Sequence, residues 1–343
     1  MRLLIATDAW KPQVNGVVRS LEEMAKHAGA FGAEAVFITP LDFLSVPMPT
    51  YPEIRLSLTY PRRIARMIDR MEPTHIHIAT EGPIGFATRS VCLSRGIPFT
   101  TSYHTRFPEY LAARAPIRPQ WTYALIRRFH NAGSGVMVAT PSLELELSNI
   151  GFRGIMRWSR GVDTDLFRPR TERVLDVPGP IFLTVSRLSV EKNIAAFLAL
   201  DLPGTKVVVG DGPARQDLKK IDPSAVFLGS LSGERLASVY ASADAFVFPS
   251  LTDTFGLVLL EALASGVPVA AYPVTGPLDI VGGTGCGVLD HDLRSAALAA
   301  LDCDRDACRA HAEKFSWLES ASQFFGNIRS ADGPATDTGR EAA

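Results

Sequence analysis

The chain has 343 residues, 46% of them hydrophobic, with 35 Lys+Arg against 36 Asp+Glu and a net charge of −1. That is enough apolar material for two domains of roughly 170 residues each, and it excludes a disordered chain. The charge is uneven: residues 1–165 sum to +5 and residues 166–343 to −6, so the first half suits an anionic surface such as a membrane face or phosphate groups, without the basic excess that would argue for nucleic acid.

The first ten residues, MRLLIATDAW, carry an apolar run too short for a signal peptide and read as a buried strand. No window approaches the ~18 apolar residues of a membrane span. Cys92, Cys286, Cys303 and Cys308 lack metal-ligand spacing and read as free thiols of a reducing compartment. The expected location is the cytoplasm, peripheral on the inner face of the membrane.

Apolar runs at 3–6, 35–38, 75–79, 99–101 and 136–139 predict short buried strands, with helices at 17–29, 61–71, 85–95 and 120–131 between them. Such alternation implies a parallel sheet covered by helices on both faces. A Pro-, Arg- and Gly-rich stretch at 168–180 reads as a linker. The pattern then restarts: strands at 181–185, 206–209, 225–228, 245–248 and 267–271 alternate with helices at 192–200, 214–220, 233–241 and 257–264. The prediction is an α/β chain of two doubly wound, Rossmann-like domains, 1–167 and 181–314. An amphipathic helix at 315–329 and a small, polar, disordered tail at 330–343 follow. Ligands of such sheets bind beyond the carboxyl ends of the strands, so the cleft between the domains is the expected site.

Several stretches sit at those strand ends. The loop 8–19, DAWKPQVNGVVR, joins a strand to a helix; Gly16 lets the backbone approach a ligand and the helix start presents N–H groups, or the loop is an ordinary turn. It holds no dinucleotide fingerprint, which counts against a nicotinamide enzyme. His104 follows the strand at 99–101, at the cleft edge or in the core. Arg187 and Lys192 follow the strand at 181–185, either as a diphosphate clamp or as surface cations. The stretch 249–271 places Asp253 and Glu261 eight positions apart, two acids that would share a helix face and grip a polyhydroxylated ligand, or stand solvated. Asp163-Thr164-Asp165 lies in the inter-domain connection without acidic or His partners nearby, and is not read as a metal site; His75 and His77 are read as structural.

On the N-terminal half, Arg62, Arg66 and Arg70 share a helix face by i, i+4 spacing, and 110–130 interleaves Arg114, Arg118, Arg127 and Arg128 with Tyr110, Trp121 and Tyr123. Basic residues among aromatics suit an anionic lipid interface, and they equally describe solvated helix faces.

Taken together, Asp8, Trp10, Pro12 and Asn15-Gly16-Val17, then Tyr103-His104-Thr105, Gly161-Val162-Asp163, Arg187-Leu188 with Glu191-Lys192-Asn193, Gly210-Asp211-Gly212-Pro213, and 249–261, occur in order over nearly all of residues 1–329. In this the chain resembles the retaining glycosyltransferases of family 4, which have the GT-B fold of two Rossmann-like domains facing across a cleft. It is most similar to the branch that glycosylates membrane lipids, the diacylglycerol and sulfolipid-type enzymes. The resemblance implies transfer of a hexose or hexuronic acid from a nucleotide sugar, a UDP-sugar first, to an acceptor hydroxyl such as that of diacylglycerol, with no cofactor or metal. Its alternatives are a GDP-mannose-dependent mannosyltransferase acting on a glycan or phosphoinositide, and a non-catalytic nucleotide-sugar-binding protein. By resemblance Arg187 and Lys192 would hold the diphosphate, Glu261 the ribose and Asp253 the donor sugar. Phe255-Gly256-Leu257-Val258 would offer backbone N–H groups, Phe227 and Gly229 would border the base, and Gly16 would approach the phosphate. His104 would lie near the anomeric carbon. Asp253 stands where the family usually has Glu. Arg62, Arg66, Arg70, Tyr110, Arg114, Trp121, Arg127 and Arg128 would face acceptor or membrane.

Overall fold

The structure is a computed structural model that describes residues 1–13, 15–48, 51–112 and 118–331, with the backbone alone for 48, 51–54 and 110–112. The segment before the connection forms β1 (Arg2–Ala6), β2 (Glu34–Ile38), β3 (Ser45–Met48), β4 (Tyr51–Ser57), β5 (His75–Ile78), β6 (Thr100–Ser102), β7 (Gly135–Val138) and β8 (Ile155–Arg157). The segment after it forms β9 (Ile181–Val185), β10 (Thr205–Val209), β11 (Val226–Gly229), β12 (Ala245–Phe248), β13 (Val269–Ala271) and β14 (Gly287–Leu289). Two six-stranded parallel sheets result, β2-β1-β5-β6-β7-β8 and β11-β10-β9-β12-β13-β14.

Both faces of each sheet are covered, which explains why the strands read as continuous apolar runs. Successive side chains of a strand point to opposite faces. Thus Leu4 and Ala6 of β1 join one core with Ile64, Ile68, Ile84 and Phe129, while Leu3 and Ile5 join another with Trp158, Phe324 and Phe325. In the second sheet Leu183, Val207 and Phe246 lie on one face and Phe182, Val208 and Val247 on the other.

Sequence patterns miss several elements. Strands β3 and β4 form an antiparallel hairpin through a stretch with prolines at 47, 49 and 52; proline argues against a sheet interior but is tolerated in a two-stranded ribbon with open edges. Strands β8 and β14 are three residues long, too short for any periodicity to register. The helix predicted at 192–200 is also corrected. A 3-10 turn, Val190–Lys192, comes first; Asn193 adopts φ +52, and the helix runs Ile194–Leu198. Asparagine tolerates the left-handed region, and its side-chain amide donates to the Pro249 carbonyl oxygen at 3.1 Å, tying this turn to the end of β12.

The last described helix, Trp317–Ser330, returns to the first sheet. Trp317, Ala321, Phe324, Phe325 and Ile328 pack on Leu3, Ile5, Met137 and Trp158, and the Trp158 indole N–H donates to Ser320 Oγ at 3.1 Å. The predicted tail lies outside the described residues from 332 onward. Among the described residues no helix is long and apolar enough to cross a membrane.

Phe324 is fully buried, its ring 4.6 Å from Trp158 and 5.1 Å from His77. Phe324→Ala is expected to lower unfolding free energy by about 3–5 kcal/mol. Urea denaturation followed by tryptophan fluorescence checks this, and a loss under about 1 kcal/mol would mean that the helix is not anchored through this ring.

Candidate active site

In the second sheet the chain builds outward from β9 to β10 and β11, then returns to place β12 on the other side of β9. The switch point between β9 and β12 opens a crevice at their carboxyl ends, the place where open α/β sheets bind ligands. Arg187, Lys192 and Asp253 all follow these two strands. The loop 210–213 closes against the same edge: a Cβ on Gly210 would stand 1.8 Å from the Ser186 carbonyl oxygen, and one on Gly212 2.4 Å from that of Leu188. Only glycine permits that approach.

The two acids of the 249–271 stretch do not share a helix face. The helix begins at Leu257, after Gly256 at φ +90, so Asp253 belongs to the preceding loop. Its carboxylate accepts two hydrogen bonds from Lys192 Nζ, at 2.7 and 2.8 Å. Glu261 lies within the helix, 4% exposed. One of its oxygens accepts from Tyr240 Oη at 2.9 Å, and the other pairs with the Arg19 guanidinium from helix Gly16–His27 of the first domain. Burial pushes the Glu261 carboxyl up, while Arg19 and the Tyr240 hydroxyl pull it back down. Arg187 pairs with the buried Glu191 at 2.9 Å. Both expected phosphate-binding cations therefore already carry a carboxylate.

Gly16 is corrected in one respect. A Cβ there would meet Leu257 Cδ1 at 3.3 Å, so the glycine lets the first domain's helix approach the start of the second domain's helix. The N–H groups of Val17 and Val18 are not free; both donate to Asn15 Oδ1 at 3.0 Å. Phe255 is buried, while Leu257 and Val258 are half-buried against the second domain's core. Phe227 and Gly229 lie on β11 at the sheet edge, with Lys219 Nζ 5.7 Å from the Phe227 ring.

Across the cleft, Asp8 follows β1 and accepts from the backbone N–H groups of Ile84 and Gly85, at 2.8 and 3.2 Å, and from Thr80 Oγ1 at 2.9 Å. It caps helix Pro83–Arg95, and burial pushes its carboxyl up to about 6. His104 follows β6. Its carbonyl oxygen accepts from Thr254 Oγ1 at 2.7 Å, bringing it beside the Asp253 loop. Further polar links between the domains are Arg106 to Thr275 Oγ1 at 2.9 Å and Ser142 Oγ to Asp279 at 2.9 Å. Asp163 Oδ1 accepts from the N–H groups of Asp165 and Leu166, a local turn. His77 is buried between Thr100 and Ser102.

The structure thus brings Lys192 to Asp253 and sets His104 beside that loop, with Glu261 buried against Arg19 of the first domain. Arg62, Arg66 and Arg70 are elsewhere, exposed on helix Pro61–Met71. Trp121, Arg127 and Arg128 are exposed on helix Pro119–His130. Arg114 and the Tyr110 side chain lie outside the described residues. Pattern reading passed over Arg19, Tyr240, Thr254 and Arg160, although Arg19 and Thr254 stand inside motifs it singled out. A side chain's partner across a cleft leaves no local signal.

Removing Arg19 lets the Glu261 carboxyl rise further, and protonation would make it a poorer acceptor for the ribose hydroxyls that the family resemblance assigns to it. Arg19→Gln is therefore expected to lose nucleoside-diphosphate affinity by about tenfold between pH 8 and pH 6, with a smaller loss in the unchanged protein. Isothermal titration at the two pH values checks this; identical pH profiles would mean that Arg19 does not set the charge of Glu261.

Known protein families match both halves of the chain. The Glycosyltransferase Family 4 model matches residues 14–166, and the Glycosyl transferases group 1 model matches residues 179–303. The chain is 30% identical to sulfoquinovosyl transferase SQD2 of Arabidopsis thaliana, covering 90% of this chain and 69% of that protein. It is 31% identical to a GDP-mannose-dependent alpha-mannosyltransferase of Mycobacterium tuberculosis, over 82% of this chain and 81% of that one. Alpha-monoglucosyldiacylglycerol synthase of Streptococcus pneumoniae is 28% identical, over 88% and 78%. Among solved structures, a sucrose-phosphate synthase from Thermosynechococcus elongatus superposes with a TM-score of 0.78 at 20% identity, covering 96% of this chain and 98% of that one. The two sheets facing across a cleft are the GT-B fold, and the chain belongs to family 4 of the glycosyltransferases, enzymes that use nucleotide-sugar donors.

Proposed function

We propose that this chain is a metal-independent, retaining hexosyltransferase that moves a sugar from a nucleotide sugar to the hydroxyl of a membrane lipid. The observation that carries the donor side is the cluster at the β9–β12 switch point, where Lys192 holds Asp253 at 2.7 Å and Arg187 stands between the end of β9 and the turn that carries Lys192. As the nucleoside diphosphate leaves, negative charge grows on its phosphate oxygens, and fixed cations in a closed cleft stabilise it. In a same-face transfer the bond from the anomeric carbon to the leaving phosphate breaks while the bond to the acceptor oxygen forms. The acceptor's proton passes to a departing phosphate oxygen. The links across the cleft, among them Thr254 to His104, support a closure that keeps water from the donor.

The acceptor reading rests on three helices of the first domain that lie side by side. Helix Pro61–Met71 packs on Pro83–Arg95 and is joined to it by Asp69–Arg95. Arg89 of the second helix donates to the Arg128 and Phe129 carbonyl oxygens of Pro119–His130. Their outer side carries Arg62, Arg66, Arg70, Arg127 and Arg128 together with Leu93, Trp121 and Leu125. Trp121 is 75% exposed and Leu125, one turn on, 53%. Arginines around exposed aromatic and aliphatic side chains suit the interface of an anionic bilayer, at the cytoplasmic face. The relative named for diacylglycerol supports a lipid acceptor. A second reading, GDP-mannose-dependent mannosyl transfer, is favoured by the similarity to the mycobacterial enzyme.

A thermal-shift panel of uridine and guanosine diphosphates and their sugars, with and without EDTA, separates these readings. A cognate donor at 100 times its dissociation constant should add about 2.7 kcal/mol of stability; stabilisation abolished by EDTA would overturn metal independence, and no shift with any nucleotide would overturn the donor site. Glu261→Ala should abolish the shift, whereas Asp253→Glu should alter the preference among sugars. In flotation, the chain should rise with vesicles containing anionic phospholipid, and Trp121→Ala with Arg66→Glu should remove most of that binding. Equal recovery with neutral vesicles would overturn the anionic preference, and none with either would favour a soluble acceptor.

A further inference from the structure

We propose that Arg160 is a positioning residue for His104, holding the imidazole in the tautomer with its proton on Nε2, so that His104 meets the donor sugar as a hydrogen-bond donor and not as a base. The contact with the sugar rests on the function proposed above; the tautomer does not.

Arg160 follows β8 and is 5% exposed. Its guanidinium carbon lies 3.9 Å from the centre of the Trp158 ring. One terminal nitrogen donates to the carbonyl oxygens of Trp158 and of Ser159, the latter at 3.0 Å. The other lies 3.1 Å from His104 Nδ1. No carboxylate pairs with this guanidinium among the described residues, so ordinary ion pairing does not account for a cation buried here.

A guanidinium has donors only. Nδ1 must therefore accept, and in the neutral ring the single proton sits on Nε2. The ring is held neutral because burial, first, and then the nearby Arg160 beyond β8, His77 of β5 and His130 of helix Pro119–His130 push its proton affinity well below the ordinary histidine value. The Trp158 ring stands edge-on to it at 5.5 Å, and Thr254 Oγ1 fixes its backbone from the opposite domain. Nε2 itself is buried and has no hydrogen-bond partner among the described residues. Nδ1 and the backbone carbonyl oxygen are occupied, and the Nε2–H is the ring donor left over. Donors fixed in advance are what a sugar hydroxyl or ring oxygen requires for orientation. With Nδ1 blocked and Nε2 protonated, the ring has no lone pair to take the acceptor's proton, in keeping with transfer of that proton to the leaving phosphate.

The test is nitrogen-detected NMR on the full chain labelled with 15N-histidine, with His104→Gln assigning the resonance among seven histidines. The unsubstituted protein should show His104 as the Nε2–H tautomer throughout pH 5 to 8. Arg160→Met should populate both tautomers and raise the titration midpoint, because a neighbouring positive charge is gone; Arg160→Lys should restore the single tautomer. A proton on Nδ1 or an imidazolium at pH 7 in the unsubstituted protein overturns the proposal whether or not the variants fold. So does a folded Arg160→Met with unchanged His104 signals. Saturating nucleotide sugar should shift the Nε2 resonance, and Arg160→Met should lower kcat by about tenfold or more with donor affinity kept. A nucleotide sugar that binds by thermal shift yet leaves Nε2 unmoved overturns the sugar contact while leaving the tautomer assignment standing.

Discussion

A buried carboxylate that takes one partner from each domain fixes how this cleft closes. Glu261 is nearly inaccessible, and an unpaired charge there would be strongly unfavourable. Tyr240 supplies a hydroxyl from its own domain and Arg19 a guanidinium from the other. The pair brings helix Gly16–His27 against helix Leu257–Ala264, and the missing side chain at Gly16 gives Leu257 room to fit. Arg19 is steadied in turn by the Phe167 ring, 5.4 Å away in the connection between domains. Nearby, Arg309 donates to the Thr164, Phe167 and Ala264 carbonyl oxygens, joining the connection to the end of the Glu261 helix.

The same economy of charge runs through the proposed donor site. Lys192 and Asp253 are each only 17% exposed at the side chain, and each carries the other's charge in the absence of the phosphate and sugar hydroxyl proposed to bind there. A ligand need not bring charge into an empty pocket; it exchanges one set of charge-assisted hydrogen bonds for another. Asp253, one methylene shorter than the usual glutamate, still reaches Lys192 with both oxygens. The shorter side chain thus bears on how far the acid extends toward a sugar, and not on whether the ion pair forms.

The fold was largely legible because parallel sheets buried on both faces leave uninterrupted apolar runs, and β1, β9, β10 and β12 are such runs. The proline-containing hairpin at 45–57 and the three-residue strands β8 and β14 were not, because their pairing is decided by neighbours rather than by their own pattern. Lys192 shows the limit within the site. Pattern assigned it to a helix, but Lys192 ends a 3-10 turn, Asn193 after it turns the backbone left-handed, and the lysine meets Asp253.

By itself the sequence determined which residue types stand at the strand ends and in what order: His104 after β6, Arg187 and Lys192 after β9, Asp253 and Glu261 after β12. Local pattern carries that information, since strand, turn and helix are specified over a few residues. Only the tertiary structure decided who faces whom. Spacing put Asp253 and Glu261 on one helix face, yet Gly256 separates them, and their partners come from residue 192 in one case and residues 19 and 240 in the other. Arg160 was one more surface-type cation in the sequence; enclosed against Trp158 and His104, it fixes where a proton sits. Hydrogen bonds and ion pairs act over about 3 Å in space, whereas, Trp158 apart, these partners lie tens to hundreds of residues away in the chain.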